Sequence, residues 1–431
     1  MPRRRSSRGR QPFAAWLALP LAIVIGCGPA PTPSPGSSPA PSPGEASPSQ
    51  PSGPAASTDP LAVYAEIASQ VEQIRGLQPK AAIAPTLIDE ATLRANLTAD
   101  FDHDNPAVQL AASEAVLRLL GLLPAGASLR DAYLDLESGQ VIGYYSPNHD
   151  QLFLVSRSGG VGPTQRVTYA HEFTHQLQDQ NFDLKRLGLD APDQGDRSLA
   201  RLALVEGDAV TTQTTWMTQH LSPEDLGQVI ADASDPNATA ALVRAPAILK
   251  ATSLFPYTAG YAWVGQLMAS GGTAAVNEAF ATPPDSTEQV LHPDKYTAHE
   301  EPVAVTVPQH LAAALGASWT ATAQDTLGEL FLRTWLTAAG LPLADATTAA
   351  AGWGGDRIQL LTGPHGETAL GIIADWDTAT DAAEFAAAAQ RAMGVVTGVG
   401  QVTGRAGSKV VVIAIAPTAS LATALAAALR P

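Results

Sequence analysis

The sequence predicts an α+β fold, and three observations support this prediction. Apolar residues recur at helical spacing in several long stretches, beginning at 61–77. Short runs of aromatic and β-branched residues alternate with turn residues over 131–156. After about residue 300, strand-like segments again alternate with helical ones. We therefore expect a first domain over 61–300 and a smaller α+β domain over 301–431.

The beginning of the chain indicates export. Residues 1–26 contain five arginines and no acid, and the apolar run 13–25 is too short to span a bilayer. The run ends in Val-Ile-Gly-Cys, which resembles the lipobox of bacterial lipoproteins, with the only cysteine of the chain, Cys27, at the acceptor position. The resemblance implies that residues 1–26 are a lipoprotein signal peptide and that Cys27 is acylated. Two or three acyl chains give stable membrane anchoring.

Residues 27–60 are expected to form a tether between this anchor and the folded body. The segment 28–60 contains 11 of the 34 prolines, interleaved with serine, glycine and alanine, and has almost no apolar surface to bury. The formal net charge of −16 argues against nucleic acid as a partner. We therefore expect a protein of the bacterial cell envelope, extracytoplasmic and held at the membrane by lipid on Cys27.

Within the first domain, apolar periodicity and turn residues predict the elements. Helices are expected, in chain order, at 61–77, 107–121, 166–182, 197–219, 237–250 and 258–280. Strands are expected at 131–138, 140–146 and 151–156, separated by Gly139 and by the turn 147–150.

The second domain is expected to contain strands and helices in alternation. The predicted strands are 303–307, 357–361, 369–376, 400–404 and 409–416. The predicted helices are 323–339, 379–393 and 418–430.

One short motif predicts the chemistry. Residues 171–175 read His-Glu-Phe-Thr-His, and on a helix residues i and i+4 lie on the same face, so His171 and His175 can bind one metal ion. Glu172 lies about 100° further round the helix, where it can take a proton from a water that the metal activates. Two histidines and a nearby carboxylate favour Zn²⁺.

A catalytic zinc site needs a third protein ligand. A metzincin is excluded, because its glycine and third histidine are replaced by Gln178 and Asn181. Glu206 follows His175 by 31 residues and lies among apolar residues of the next predicted helix, where a carboxylate is costly to bury unless it is paired or bound to metal. We expect Glu206 to be the third ligand. The alternatives are Asp208, and more weakly Asp183 and Asp190.

Together these residues resemble the gluzincin branch of the zinc metallopeptidases. The chain is closer still to poorly characterised surface proteins and lipoproteins of bacteria and archaea, which share three motifs. These motifs are matched by AHEFTHQLQDQNFD at 170–183, EGDA at 206–209 and STEQVLHPDKY at 286–296. The resemblance covers about 135–300 and implies a zincin-like catalytic domain, in which a small sheet with an edge strand packs on the active-site helices.

Two further expectations concern the surroundings of the metal. Asp179, one turn after His175, is our candidate for orienting that ligand. Gluzincins usually stabilise the oxyanion with a tyrosine or histidine beyond the third ligand, which implies His292 first, with Tyr257 and Tyr261 as alternatives. The alternative for His292 is a structural histidine.

The resemblance also implies how substrate binds. Zincins hold peptides against the edge strand that precedes the active helix, and either 140–146 or 151–156 could supply that edge.

The sequence thus predicts a membrane-anchored extracytoplasmic zinc metalloendopeptidase that acts on peptides or proteins. The alternative is a non-catalytic, zinc-containing surface lipoprotein that acts in binding or adhesion. The intact Glu172 favours the enzyme, since a binding protein has no need of a carboxylate directed at the metal-activated water.

Overall fold

The computed structural model describes residues 59–82, 84–140, 142–155 and 161–430. The predicted signal peptide, Cys27 and nearly all of the predicted tether lie outside these residues. Helices predominate, and two small sheets accompany them, which confirms the α+β fold class. Within the described ranges, no helix is both long enough and apolar enough to span a bilayer.

Up to residue 300, helices surround a three-stranded sheet. The strands are β1 (Thr86–Ile88), β2 (Gly143–Ser146) and β3 (Gln151–Val155). The helices are α1 (Pro60–Arg75), α2 (Glu90–Asp104), α3 (Ala107–Leu119), α4 (Leu129–Gln140), α5 (Pro163–Phe182), α6 (Gly195–His220), α7 (Pro223–Ala233), α8 (Pro236–Arg244), α9 (Ala247–Phe255), α10 (Tyr261–Ala281), α11 (Thr287–Leu291) and α12 (Pro293–Thr297). A 3₁₀ turn (Leu184–Leu187) follows α5, and a π-helical segment (Pro256–Gly260) joins α9 to α10.

The small sheet has the strand order β1-β3-β2. β3 pairs in parallel with β1 and antiparallel with β2, so it lies in the centre and β2 lies at an edge. β3 is therefore not an edge strand, and of the two segments proposed for the substrate edge only the one that contains β2 supplies an edge. Across the antiparallel pair the rings of Tyr144 and Phe153 stack at 4.9 Å between centroids.

The helix α5 begins and ends on residues suited to those positions. Pro163 lies at its first position, where the missing N–H costs no hydrogen bond, and the chain leaves at Asp183 with φ 59°. Val167, Ala170 and Leu177 pack into a core shared with α1, β3 and the end of α6. This burial fixes the rotation of α5 about its axis, and with it the direction of the HExxH side chains.

Beyond residue 300 the chain builds a five-stranded antiparallel sheet of order β4-β5-β6-β8-β7. Its strands are β4 (Thr320–Asp325), β5 (Trp353–Thr362), β6 (Thr368–Trp376), β7 (Val399–Gly404) and β8 (Val410–Ala416). The helices of this part are α13 (Leu311–Leu315), α14 (Gly328–Ala338), α15 (Leu343–Ala350), α16 (Ala379–Ala392) and α17 (Ala419–Leu429).

Alternating residues of the large sheet face two separate cores, as the period of a strand requires. Ile358, Ile372 and Ile413 face a core that includes α14, α15 and α16. Ile373 and Val412 face a second core built with α13 and α17. The middle of the sheet is therefore covered on both faces, which explains the almost continuous apolar sequence of β8 and of most of β6.

The two parts of the chain share a core across residue 300. Leucines of α3 and α4 pack in the same cluster as the large sheet, and Leu330 of α14 packs among residues of α6 and α10. The indole N–H of Trp335 donates to the carbonyl of Leu120 at 3.0 Å. The position of α6, which carries Glu206, is therefore coupled to the C-terminal part.

Four predicted elements were wrong or displaced. The predicted helix 237–250 is divided between α8 and α9, because Pro246 interrupts it. Residues 131–138 lie in α4 rather than in a strand, because Leu129, Tyr133 and Leu136 form one buried helical face. Residues 303–307 form no strand: prolines flank them, and Val303 makes one backbone bond, to Gly354 at 2.7 Å. The predicted helix 323–339 begins only at Gly328, because Ala323 to Asp325 pair in β4.

Candidate metal centre

Three donor atoms of α5 and α6 converge at one point. The Nε2 atoms of His171 and His175 lie 3.1 Å apart. Glu206 Oε2 lies 3.2 Å from the first nitrogen and 3.4 Å from the second. All three residues are buried. The structure thus brings Glu206 to the two histidines.

These separations fit a tetrahedral metal ion. Two ligands at about 2.1 Å from tetrahedral zinc lie about 3.4 Å from each other. The observed separations of 3.1–3.4 Å match this value within a few tenths of an ångström. Two imidazoles and one carboxylate are also the donor set of a catalytic zinc site that keeps a fourth position open.

The titrations of these side chains are coupled. Burial lowers the pKa of His175, but Glu206 and Glu172 outweigh this effect and raise it above its ordinary value. Burial raises the pKa of Glu206, but the two histidines outweigh this effect and lower it. Both shifts have the same cause, since a buried carboxylate needs a positive charge beside it.

Glu172 lies next to this group without being part of it. Its side chain is fully buried, and Oε2 accepts a hydrogen bond from the backbone N–H of Tyr145 at 2.9 Å. Oε1 has no hydrogen-bond partner among the described residues. Burial raises the pKa of Glu172 to about 8, and a metal ion held by the three donors would lower this pKa again and leave the carboxylate able to accept a proton. The edge strand β2 therefore holds one oxygen of the carboxylate and leaves the other available.

A chain of polar contacts orients His175. Gln178 Oε1 lies 2.9 Å from His175 Nδ1, and Gln178 Nε2 donates to the carbonyl of Val205 at 2.9 Å and to Asp208 at 2.8 Å. Asp208 in turn forms a buried ion pair with Arg75 of α1 at 2.7 Å. Such contacts fix the ring orientation and the tautomer of a ligand histidine.

Asp179 does not have the role that the sequence predicted. Its side chain accepts hydrogen bonds from the Tyr145 hydroxyl at 2.9 Å and from the backbone N–H of Leu184 at 3.0 Å. It thus ties α5 to β2 and to the 3₁₀ turn. The prediction was wrong because Gln178, not Asp179, lies beside the His175 ring.

Two glycines set the distance between α6 and the π-helical segment. A Cβ atom on Gly207 would lie 2.4 Å from the carbonyl oxygen of Gly260, and one on Gly260 would lie 2.3 Å from that of Ala203. The two backbones are therefore in direct contact beside Glu206. The contact places Tyr257 over His171, with ring centroids 6.2 Å apart and an interplanar angle of 24°.

The structure does not bring His292 to the three donors. It places the ring between α11 and α12, with Nε2 3.0–3.1 Å from the carboxylate of Glu329 on α14. This contact raises the pKa of His292. Of the two tyrosine alternatives, Tyr257 stacks on a ligand ring, and Tyr261 packs beside Tyr257.

The other side chains of the STEQVLHPDKY motif hold the chain together near residue 290. Ser286 caps α11 by accepting from the Gln289 N–H, and Tyr296 donates to the carbonyl of Thr282 at 2.9 Å. Lys295 binds three carboxylates, those of Glu288, Glu300 and Asp377. The carboxylate oxygens of these three residues lie close enough together to hold a metal ion, but the ammonium group of Lys295 already lies among them and balances their charge.

The rival ligands have other roles. Asp208 is held by Arg75 and Gln178. Asp183 is exposed at the end of α5, and Asp190 is exposed where it lines the cavity described below.

The sequence analysis did not predict the role of Arg75 or the contact of Gly207 with Gly260. No local signal identifies the arginine, whereas a glycine directly after Glu206 inside a helical pattern does suggest a close packing contact.

A cavity of about 370 Å³ opens beside the three donors. His175 and Glu206 are among its lining residues, together with residues of α2, α4, α6, β2 and the loops after β2 and α5. Its volume lies in the range of small-ligand sites.

Comparison with known proteins gives one match. A family model described as "Domain of unknown function (DUF8575)" matches residues 317–425, about a quarter of the chain. The matched residues run from just before β4 to within α17 and do not include the candidate metal centre. No curated protein and no solved structure matches the chain.

Proposed function

We propose that this protein is a zinc-dependent metalloendopeptidase with a zincin-like active site, in which His171, His175 and Glu206 bind the ion. The observation that carries the proposal is the triangle of donor atoms, 3.1–3.4 Å on a side, with the unpartnered Glu172 oxygen next to it. The ion, when bound, supplies a Lewis acid that acidifies water and polarises a peptide carbonyl.

Glu172 transfers the proton in this reaction. Its available Oε1 takes a proton from the attacking water as the water oxygen bonds to the carbonyl carbon. It then gives this proton to the leaving amine as the C–N bond breaks. The hydrogen bond from the Tyr145 N–H keeps the other oxygen in place during both transfers. A protein that only binds zinc has no use for this buried carboxylate, which favours the enzyme over an adhesion lipoprotein.

Two other features would act on the substrate. Tyr257 is the better placed of the predicted oxyanion donors, because it lies against a ligand ring whereas His292 pairs with Glu329. The edge strand β2 would align a peptide by main-chain hydrogen bonds. The backbone N–H of Tyr145 already binds Glu172, which links the edge strand to the proton carrier.

The decisive experiment compares two Glu→Gln variants. Wild-type protein is expected to contain one zinc ion per chain, by elemental analysis, and to cleave unfolded casein. Glu172→Gln should keep the ion and lose activity by about 10²–10⁴-fold, whereas Glu206→Gln should lose both. Glu384→Gln, at an exposed position of α16, is the matched control and should keep both. An active Glu172→Gln protein, or a wild type that binds no zinc, would contradict the proposal.

We further propose that lipid on Cys27 anchors the protein to the outside of a bacterial membrane. The sequence alone supports this, since Cys27 lies outside the described residues. Cys27→Ser should abolish the incorporation of labelled palmitate into the protein, and labelling that persists in this variant would contradict the assignment.

A further inference from the structure

The cavity beside the metal centre has walls of two kinds. One part of the lining is buried and apolar and includes Phe101, Tyr133, Leu202 and Val205. The other part is less buried and includes three aspartates, Asp100, Asp104 and Asp190. A side chain in the cavity could therefore contact both apolar surface and carboxylates.

The arrangement of these aspartates is electrostatically unfavourable in the protein alone. Asp100 and Asp104 are half-buried one helical turn apart on α2, a spacing at which like charges repel. Burial raises the pKa of Asp104, and the charges of Asp100 and Asp190 raise it further, against the opposing effect of His103. Burial also raises the pKa of Asp100, with His149 and His103 opposing.

No ion pair offsets this repulsion. Within the described ranges, no lysine or arginine forms a salt bridge with any of the three aspartates, although Asp102 of the same helix pairs with Arg130 at 2.7 Å. Lys185 also lines the cavity, but its side chain is exposed and is not within salt-bridge distance of the three aspartates. Three carboxylates and one exposed ammonium leave the less buried part of the cavity lining negative.

We propose that this cavity binds a lysine or arginine side chain of the substrate, next to the bond that is cleaved. The inference rests on the proposed peptidase function and specifies its substrate class. The aliphatic stem of such a side chain suits the apolar part of the lining, and its charged end can neutralise the aspartates. An acidic side chain would be repelled, and a purely apolar one would bury the aspartates without a partner.

Binding measurements test this inference without requiring turnover. The zinc-loaded full chain carrying Glu172→Gln is titrated with labelled peptides that differ at one position, lysine or norleucine, with this position scanned along the peptide. Norleucine keeps the stem and removes the charge. At one position, the lysine peptide is expected to bind about tenfold more tightly. Asp100→Asn combined with Asp104→Asn should reduce this ratio toward one.

A matched double variant controls for net charge. Asp345→Asn with Glu384→Gln removes two exposed carboxylates of α15 and α16 and should preserve the ratio. Equal binding of the two peptides at every scanned position overturns the inference, as does a preference that survives in Asp100→Asn/Asp104→Asn. Cleavage of casein by wild type, abolished by Glu172→Gln, would in either case leave the peptidase function standing. Selective binding without any cleavage by wild type would instead support the pocket and refute the peptidase.

Discussion

The Gln178 side chain joins the His175 ring to Asp208. Its carbonyl oxygen lies 2.9 Å from His175 Nδ1, and its amide nitrogen donates to Asp208 at 2.8 Å. The arrangement connects a proposed ligand on α5 with an ion pair between α6 and α1. The amide requires the proton on His175 Nδ1 and so leaves Nε2 free to bind metal.

We therefore predict that Gln178→Leu lowers zinc affinity by about 10–100-fold, the range found for loss of a partner of a metal-bound histidine. The variant also leaves Asp208 without one of its donors and should reduce the free energy of unfolding. Competition with a chromogenic chelator measures the affinity, and urea denaturation measures the stability.

Gln176 provides the control for this prediction. It is a glutamine buried on the same helix, and neither of its amide atoms has a hydrogen-bond partner among the described residues. Gln176→Leu should leave zinc affinity unchanged and should keep or increase stability, because it removes a buried polar group that lacks partners. Equal losses of zinc affinity in the two variants would show that the Gln178 contact has no specific role.

A second prediction concerns the backbone contact beside Glu206. Gly207→Ala introduces a Cβ that would lie 2.4 Å from the Gly260 carbonyl oxygen, so α6 and the π-helical segment must separate. We expect a loss of about 1–3 kcal/mol in the free energy of unfolding, as is usual for overpacking, together with weaker zinc binding. Thermal and urea denaturation of the zinc-loaded and chelated forms measure both effects.

Gly227 is a suitable comparison because it lies in the interior of α7, where a new Cβ meets no atom within 4 Å. Gly227→Ala should stabilise the protein by about 0.5–1 kcal/mol through helix propensity. If both alanine variants were equally stable, the close approach at Gly207 would not be a constraint.

The group formed by His171, His175 and Glu206 could be predicted from sequence because local periodicity fixes most of it. Helical spacing alone places His171 and His175 on one face, and Glu206 is identified by the cost of burying its charge among apolar residues. Part of the large sheet is predictable for a similar reason, since β6 and β8 are long apolar segments between turns. β4 was not predicted, because its residues 323–325 fell in a predicted helix.

The remaining features depend on contacts between distant segments. Arg75 pairs with Asp208 across 133 positions of the chain, and no pattern near either residue indicates the pair. His292 carried a plausible chemical signal, but its contact with Glu329 depends on how α14 packs. The wrong strand prediction at 131–138 has a different cause. Its aromatic residue suggested a strand, but the helical spacing of the buried residues determined the structure.

A third prediction concerns Lys295, which holds three carboxylates near the junction of the two parts. Its side chain contacts Glu288 at 2.7 Å, Glu300 at 2.7 Å and also Asp377 at the end of β6. Lys295→Met removes the cation and leaves Glu288 buried without it. We expect the free energy of unfolding to fall by about 3–5 kcal/mol, because one partner of a largely buried ion pair is lost. Chemical denaturation measures this loss.

Lys409→Met removes an exposed lysine from the same part of the chain and should change stability by no more than about 0.5 kcal/mol. Similar values for the two variants would mean that the Lys295 cluster contributes no more than surface charge. Adding Glu288→Gln to Lys295→Met should recover part of the lost stability, because the stranded buried charge is then removed.

The last prediction concerns pH, through a carboxylate that joins α6 to the large sheet. Asp325 accepts a hydrogen bond from the Gly195 N–H at 2.8 Å, and burial raises its pKa to about 7. An unfolded aspartate has a pKa of about 3.9. Between these values the folded state retains a proton that the unfolded state releases. The contribution of Asp325 to stability therefore decreases as pH rises from about 4 to 7 and stays constant above pH 7.

The variant Asp325→Asn cannot titrate at this position. Its stability relative to wild type should therefore increase across that window, with a slope of at most about 1.4 kcal/mol per pH unit. Urea denaturation of both proteins at pH 5, 6, 7 and 8 measures the difference, and the exposed Asp345→Asn serves as a control whose difference from wild type should not vary over this range. A constant difference for Asp325→Asn would mean that the carboxylate is ionised throughout, held by the Gly195 and Thr326 N–H groups and by the charge of Arg357.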